Sequence, residues 1–173
     1  EADRRQRRIV VLGNPTYPPS LLTIEDPPLM LYLLGGQRNE STGNSENEGS
    51  NSPSALVQYA QTAIDLIANS LASSIAIVGS RNPTPQGAAN ARHFAKAFSE
   101  AGLTVVSGLA LGVDGAAHDG ALAGAGSTIA VMGTGADRIY PGRHRDLAHR
   151  IAAEGLLLTE FPLGTPPLAE NFP

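Results

Sequence analysis

Three turns hold most of the residues in this chain that can do chemistry. The first, Gly79-Ser80-Arg81-Asn82-Pro83-Thr84-Pro85-Gln86-Gly87, closes the apolar run Ile75-Ala76-Ile77-Val78 and opens a helix-like stretch. Gly79 permits a sharp turn, Ser80 offers a hydroxyl, and the unpaired N–H groups of a helix start favour an anion. Arg81 adds a planar fork of donors and a full charge beside that point. Gly79, Ser80 and Arg81 are therefore candidate phosphate contacts, against the plainer reading of a tight turn with a surface arginine. The second turn, Ser107-Gly108-Leu109-Ala110-Leu111-Gly112-Val113-Asp114, places two glycines four apart, with Ser107 and Gly108 as further phosphate candidates. That spacing is not the G-x-G-x-x-G of dinucleotide-binding folds. Asp114 reads more simply as a helix N-cap or first-turn acid, because a carboxylate repels a phosphate. His118 follows four residues later on the same helical face, where it can pair with Asp114.

The third turn runs from Gly133-Thr134-Gly135-Ala136-Asp137 through Arg138, Tyr140, Pro141, Arg143, His144 and Arg145. Arg143 and Arg145 are the local candidates for backbone phosphates, with a solvated helix start as the alternative. Tyr140 can either stack on a base or pack against the sheet edge. No catalytic set assembles from these residues: HExxH, GxSxG and the Walker GxxxxGK[ST] pattern are missing, and cysteine is absent altogether. Neither a metal site nor a cofactor is expected.

Such turns need strands behind them and helices after them, and the sequence supplies both in alternation. Apolar strand segments at 75–78, 104–106, 128–132 and 156–159 alternate with helical patterns at 86–101, 113–123 and 145–154. A further helical pattern spans 55–72, with Leu56, Ala60, Ile64, Ile67 and Leu71 at helix spacing. Short uncharged strands separated by helices imply βαβ units on a mostly parallel sheet buried on both faces. The expected fold class is α/β, doubly wound, with ligands beyond the carboxyl ends of the strands.

Composition divides the 173 residues into three regions. Residues 1–36 form an N-terminal arm and lead-in, with a strand at 9–12 and an apolar run at 29–34. Residues 37–54, rich in Gly, Ser, Asn and Glu, read as a disordered polar insertion. Residues 55–173 carry the alternating core, and the ending Asn171-Phe172-Pro173 suggests a truncated C-terminus. The net charge of -4 argues against a surface that coats long nucleic acid all over, so any anion site must be local. Positive charge is almost wholly arginine, crowded at Arg4, Arg5, Arg7 and Arg8, read as a solvated arm, and again at Arg138, Arg143, Arg145 and Arg150. With no cysteine, no apolar run of membrane length and no signal-peptide pattern, a cytoplasmic location is the expectation.

Taken in order, these strings resemble the bacterial DNA-processing protein A (DprA/Smf) family. The resemblance rests on Ile75-Ala76-Ile77-Val78-Gly79-Ser80-Arg81, on Ser107 to Asp114 with Ala117-His118, and on Gly126 to Gly133. It extends to Gly135-Ala136-Asp137 with Tyr140-Pro141, to Thr159-Glu160-Phe161-Pro162 with Gly164, and upstream to Tyr17-Pro18 and Asp26 to Tyr32. It implies an extended Rossmann-like fold and a non-enzymatic protein that binds single-stranded DNA during natural transformation. It also implies loading of a RecA-type recombinase and a homodimer. By the same resemblance Gly79, Ser80 and Arg81 would hold a DNA phosphate, helped by Ser107, Gly108 and the basic turn at 140–145. The Arg-Asn-Arg stretch and closing helix that normally follow in the family lie beyond Pro173, which puts full DNA affinity and the dimer in doubt for this chain. The runner-up is a Rossmann-like protein for a small nucleotide, such as a phosphoribohydrolase, whose Pro-Gly-Gly-x-Gly-Thr-x-x-Glu loop is not matched at Gly133 to Asp137.

Overall fold

The computed structural model describes residues 7–35 and 71–172. The polar insertion at 37–54 and all but the end of the helical pattern at 55–72 lie outside the described residues. Within them, a six-stranded sheet is built from β1 (Arg7–Val11), β2 (Met30–Gly35), β3 (Ser74–Ala76), β4 (Thr104–Ser107), β5 (Thr128–Val131) and β6 (Leu156–Thr159). The order across the sheet is β1-β2-β6-β5-β4-β3. Strands β3 to β6 are parallel neighbours. Strand β2 joins β6 antiparallel, and β1 joins β2 antiparallel. The helices α1 (Pro85–Glu100), α2 (Val113–Ala121) and α3 (Arg145–Glu154) connect the parallel strands. This is the mostly parallel α/β fold expected, with an antiparallel pair of strands added on one side. Arg7 and Arg8 belong to β1 rather than to a solvated arm, while Arg4 and Arg5 lie outside the described residues.

Alternation within the strands sorts side chains between two faces. Val106, Ile129, Leu156 and Leu158 share one face and meet Val10, Leu31, Leu33 and Tyr17, with Leu71 packed against them. Val105, Ala130 and Leu157 share the other face, where Ala95, Ala117, Ala121, Ala148 and Ile151 of the three helices cover them. Strands this apolar are stable only when covered on both sides, which accounts for the near absence of charge in the strand segments. The helix layer is built largely from alanine and glycine, so α1 and α2 pack with little between them. At Gly120, for example, a Cβ would run into the carbonyl of Arg92.

Several boundaries differ by a residue or two from the sequence reading, and two of them have clear local causes. The first parallel strand ends at Ala76 rather than Val78 because it is the outermost strand of the parallel half. Ile77 still donates to the Val106 carbonyl, but Val78 turns out to solvent at 74% exposure. Helix α1 starts where its chemistry dictates: Thr84 caps it by accepting from the Gly87 amide at 3.1 Å, and Pro85 fills the first position, which needs no donor.

Candidate functional site

Because β3, β4 and β5 are parallel neighbours, the turns that leave them share one edge of the sheet. The first two are interlocked. The Val113 amide donates to the Ser80 carbonyl at 3.1 Å. Gly112 sits at φ +85°, and a Cβ there would collide with the Ser80 carbonyl and come within 2.8 Å of the Arg81 backbone. Gly79 is needed for the same contact from the other side, since its Cβ would fall 2.9 Å from the Val113 side chain. Both glycines thus serve the approach of one turn to the other.

Gly79, Ser80 and Arg81 are exposed at this edge. The Ser80 hydroxyl accepts from the Asn82 amide at 3.0 Å, leaving its proton available to an outside acceptor. Ser107 is placed differently. It is buried, and its hydroxyl donates to the Ile77 carbonyl at 2.7 Å, so it ties β4 to the end of β3. Gly108 is exposed, but its amide donates to Asp114 Oδ2 at 3.1 Å, and the Ala110 amide reaches the same oxygen at 3.3 Å. Asp114 is the first-turn acid of α2, with Gly112 as the N-cap, and it is 5% exposed. An internal carboxylate therefore already occupies amides that the sequence offers to a phosphate.

His118 does not pair with Asp114. It is fully buried, and its Nε2 accepts from the Leu109 amide at 3.3 Å while Nδ1 lies 2.8 Å from the Thr128 hydroxyl. Thr128 in turn donates to the Val105 carbonyl at 2.7 Å. An amide can only donate, and the Thr128 proton is spent on Val105, so the imidazole proton must reside on Nδ1. Burial, with a smaller contribution from nearby His144, pushes the His118 pKa down to about 3. The ring is thus a neutral structural link from the sheet to Leu109, which is held in the left-handed region at φ +59°.

In the third turn, Arg143 and Arg145 are exposed and flank His144. His144 is the residue that motif reasoning passed over. Its Nδ1 donates to the Leu109 carbonyl at 2.9 Å, joining the basic turn to the second turn. The signal for it was a histidine set between two arginines, which reads equally well as one more basic residue. Tyr140 is half exposed and packs on Phe172, with ring centroids 5.5 Å apart and planes tilted by 50°. The segment after β6 folds back over this turn: the Gly164 amide donates to Asp137 Oδ1 at 2.7 Å, and Asn171 Nδ2 donates to the Gly133 carbonyl at 3.0 Å. Among the described residues, no three His, Asp or Glu side chains gather to hold a metal ion.

The arrangement can present arginine forks and a hydroxyl along one edge, on a backbone held by buried hydrogen bonds. Comparison with known proteins places the chain in a family. The family model described as DNA recombination-mediator protein A matches residues 50–173. The chain is 37% identical to Protein Smf of Synechocystis sp., covering 100% of this chain and 37% of that protein. It is 31% identical to DNA processing protein DprA of Bacillus subtilis over 95% of this chain and 46% of that one. The crystal structure of DprA from Streptococcus pneumoniae superposes with a TM-score of 0.72 at 31% identity, covering 95% of this chain and 47% of that one. DNA processing protein A from Helicobacter pylori, whose structure was described for its single-stranded DNA binding mode, superposes at 0.68 with 26% identity over 95% of this chain and 60% of that one. The chain thus spans less than half the length of the two curated relatives, and on motif order, fold and similarity it belongs to the DNA recombination-mediator protein A family.

Proposed function

We propose that this chain binds single-stranded DNA through the sheet edge formed by its first and third turns, as part of DNA processing for recombination and natural transformation. The observation that carries the reading is the exposure of Arg81, Arg143 and Arg145 on turns that the second turn locks together. Phosphates would be held by Arg81 with the Ser80 hydroxyl and Gly79 backbone, and by Arg143 and Arg145. The Ser107–Gly112 turn, whose donors at Ser107, Gly108 and Leu109 are engaged internally, serves as the frame between them. Support comes from the single-stranded DNA binding described for the Helicobacter pylori relative. Three arginines gripping a backbone give a salt-dependent affinity with little sequence preference.

A binding role is favoured over catalysis because the two acid–base groups of the second turn and its helix, Asp114 and His118, are committed. Asp114 is bonded to two amides, and His118 is buried and neutral. Loading of a RecA-type recombinase, homodimer formation and a cytoplasmic location belong to the same proposal. The test is binding of labelled single- and double-stranded oligonucleotides across a salt series, for wild type and Arg81→Ala. Preference for the single strand, with affinity lost in the variant, supports the reading. Affinity unaffected by Arg81→Ala, or tight mononucleotide binding with no oligonucleotide binding, overturns it.

A further inference from the structure

The Gly142–His144 stretch of the basic turn is held locally by few bonds of its own. Residues Gly142–His144 make a single 3-10 turn, closed by the His144 amide donating to Pro141 at 2.9 Å, and α3 begins at Arg145 without a side-chain cap. Arg143 and Arg145 are exposed, but the histidine between them is half-buried. Its Nδ1 lies 2.9 Å from the Leu109 carbonyl. A carbonyl only accepts, so Nδ1 carries a proton in this contact. The ring also lies on α2, where a Cβ at Gly115 would stand 2.6 Å from His144 Cε1 and 2.9 Å from Nε2. The Leu109 residue receiving this bond is itself fixed from below, through its amide on buried His118. One left-handed residue is therefore clamped between two imidazoles, one rooted in the sheet and one belonging to the basic turn.

We propose that His144 is a positioning residue for DNA binding: its bond to Leu109, with its ring seated over Gly115, fixes Arg143 and Arg145 relative to the Gly79–Arg81 turn. The inference rests on the reading of this edge as a single-stranded DNA site. A polyanion with regularly spaced charges is bound best by cations held at matching positions, because less conformational freedom is then lost on binding. Removing the histidine leaves both arginine charges in place and takes away the bond and ring contact that tie their turn to the second turn.

The experiment measures binding of a fluorescein-labelled oligothymidylate at several salt concentrations, with folding followed by thermal melting. The variants are His144→Ala, His144→Asn and Gly115→Ala, together with His144→Ala in an Arg143→Ala/Arg145→Ala background. Loss of one positioning hydrogen bond is expected to weaken binding by about fivefold in His144→Ala. His144→Asn, which restores an N–H donor near the Nδ1 position, recovers most of that loss. Gly115→Ala displaces the ring while favouring the helix backbone, so it reproduces the weaker binding without lowering the melting temperature through α2. In the Arg143→Ala/Arg145→Ala background His144→Ala has no further effect. The proposal is overturned if His144→Ala binds as wild type, or if its loss is equally large without the two arginines; neither result touches the sensitivity to Arg81→Ala. If wild type fails to bind the oligonucleotide, or Arg81→Ala binds as tightly, the underlying reading falls and the proposal falls with it.

Discussion

Asp114 turns its carboxylate back onto the loop that precedes its own helix, with Oδ2 3.1 Å from the Gly108 amide. The same oxygen accepts from Ala110 at 3.3 Å, so the acid closes the second turn much as a bound anion would. Hydrogen bonds to a charged acceptor contribute about 1.5–3 kcal/mol, towards the lower end here because both amides are only partly buried or exposed. Asp114→Ala is therefore expected to cost about 2–3 kcal/mol in urea unfolding, and Asp114→Asn, which keeps one acceptor oxygen, less. A cost below about 0.5 kcal/mol for the alanine variant would mean that the carboxylate does not hold the turn.

Gly112 and Gly142 provide a matched pair of substitutions. Gly112 has φ +85° and faces the Ser80 carbonyl and Arg81 backbone, whereas a Cβ at Gly142 meets nothing within 4 Å. Gly112→Ala should destabilise by about 2 kcal/mol or more, since strain and collision act together, while Gly142→Ala should stay within about 0.5 kcal/mol. Because Gly112 abuts the Arg81 backbone, its variant should also weaken oligonucleotide binding. Equal melting temperatures for the two variants would contradict the interlocked geometry.

His118 imposes a pH dependence. Its folded pKa is lowered to about 3 from an ordinary 6.5. Between those values the unfolded chain carries a proton that the folded chain cannot accept. Stability from this group is fully present above about pH 6.5 and falls as pH drops towards about 3, by up to roughly tenfold in the folding constant per pH unit. Chemical denaturation at pH 7, 6, 5 and 4 should show the decline. His118→Asn, less stable at pH 7 for want of matching hydrogen bonds, should show a shallower one. An unchanged slope in the variant would assign the acid sensitivity to other groups.

Asp119 joins three helices, accepting from Arg92 of α1 at 3.0 Å and from Arg150 of α3 at 2.8 Å. All three side chains are at least a third exposed, and water screens such pairs. Asp119→Ala is expected to cost about 1 kcal/mol or less, with the difference shrinking at high salt. A salt-independent loss of several kcal/mol would show that the bridge is shielded from solvent.

Much of this was legible in the chain. The alternation of uncharged strands with alanine-rich helices announced the α/β class, because a strand without charges must be covered on both sides. Gly79-Ser80-Arg81, Tyr140-Pro141 and the Glu160-Phe161-Pro162 string, in order, carried the family. The helices at 86–101 and 145–154 stand within a residue or two of where their apolar spacing placed them. The roles of Ser107, Gly108 and His144 were not legible. A serine and a glycine after a strand look the same whether their donors face a ligand or a neighbouring strand, and a histidine between arginines looks like one more cation.

The sequence by itself therefore determined the class of fold, the family and the three turns at which an anion could be met. Those depend on local patterns, namely side-chain period, glycine placement and the sign of charge. Only the tertiary structure decided which donors are spent. Ser107 donates to Ile77, thirty residues away, and His144 to Leu109, thirty-five residues away. Hydrogen-bond capacity is limited for each donor, and whether a buried partner has already claimed it depends on which distant segments the sheet brings side by side.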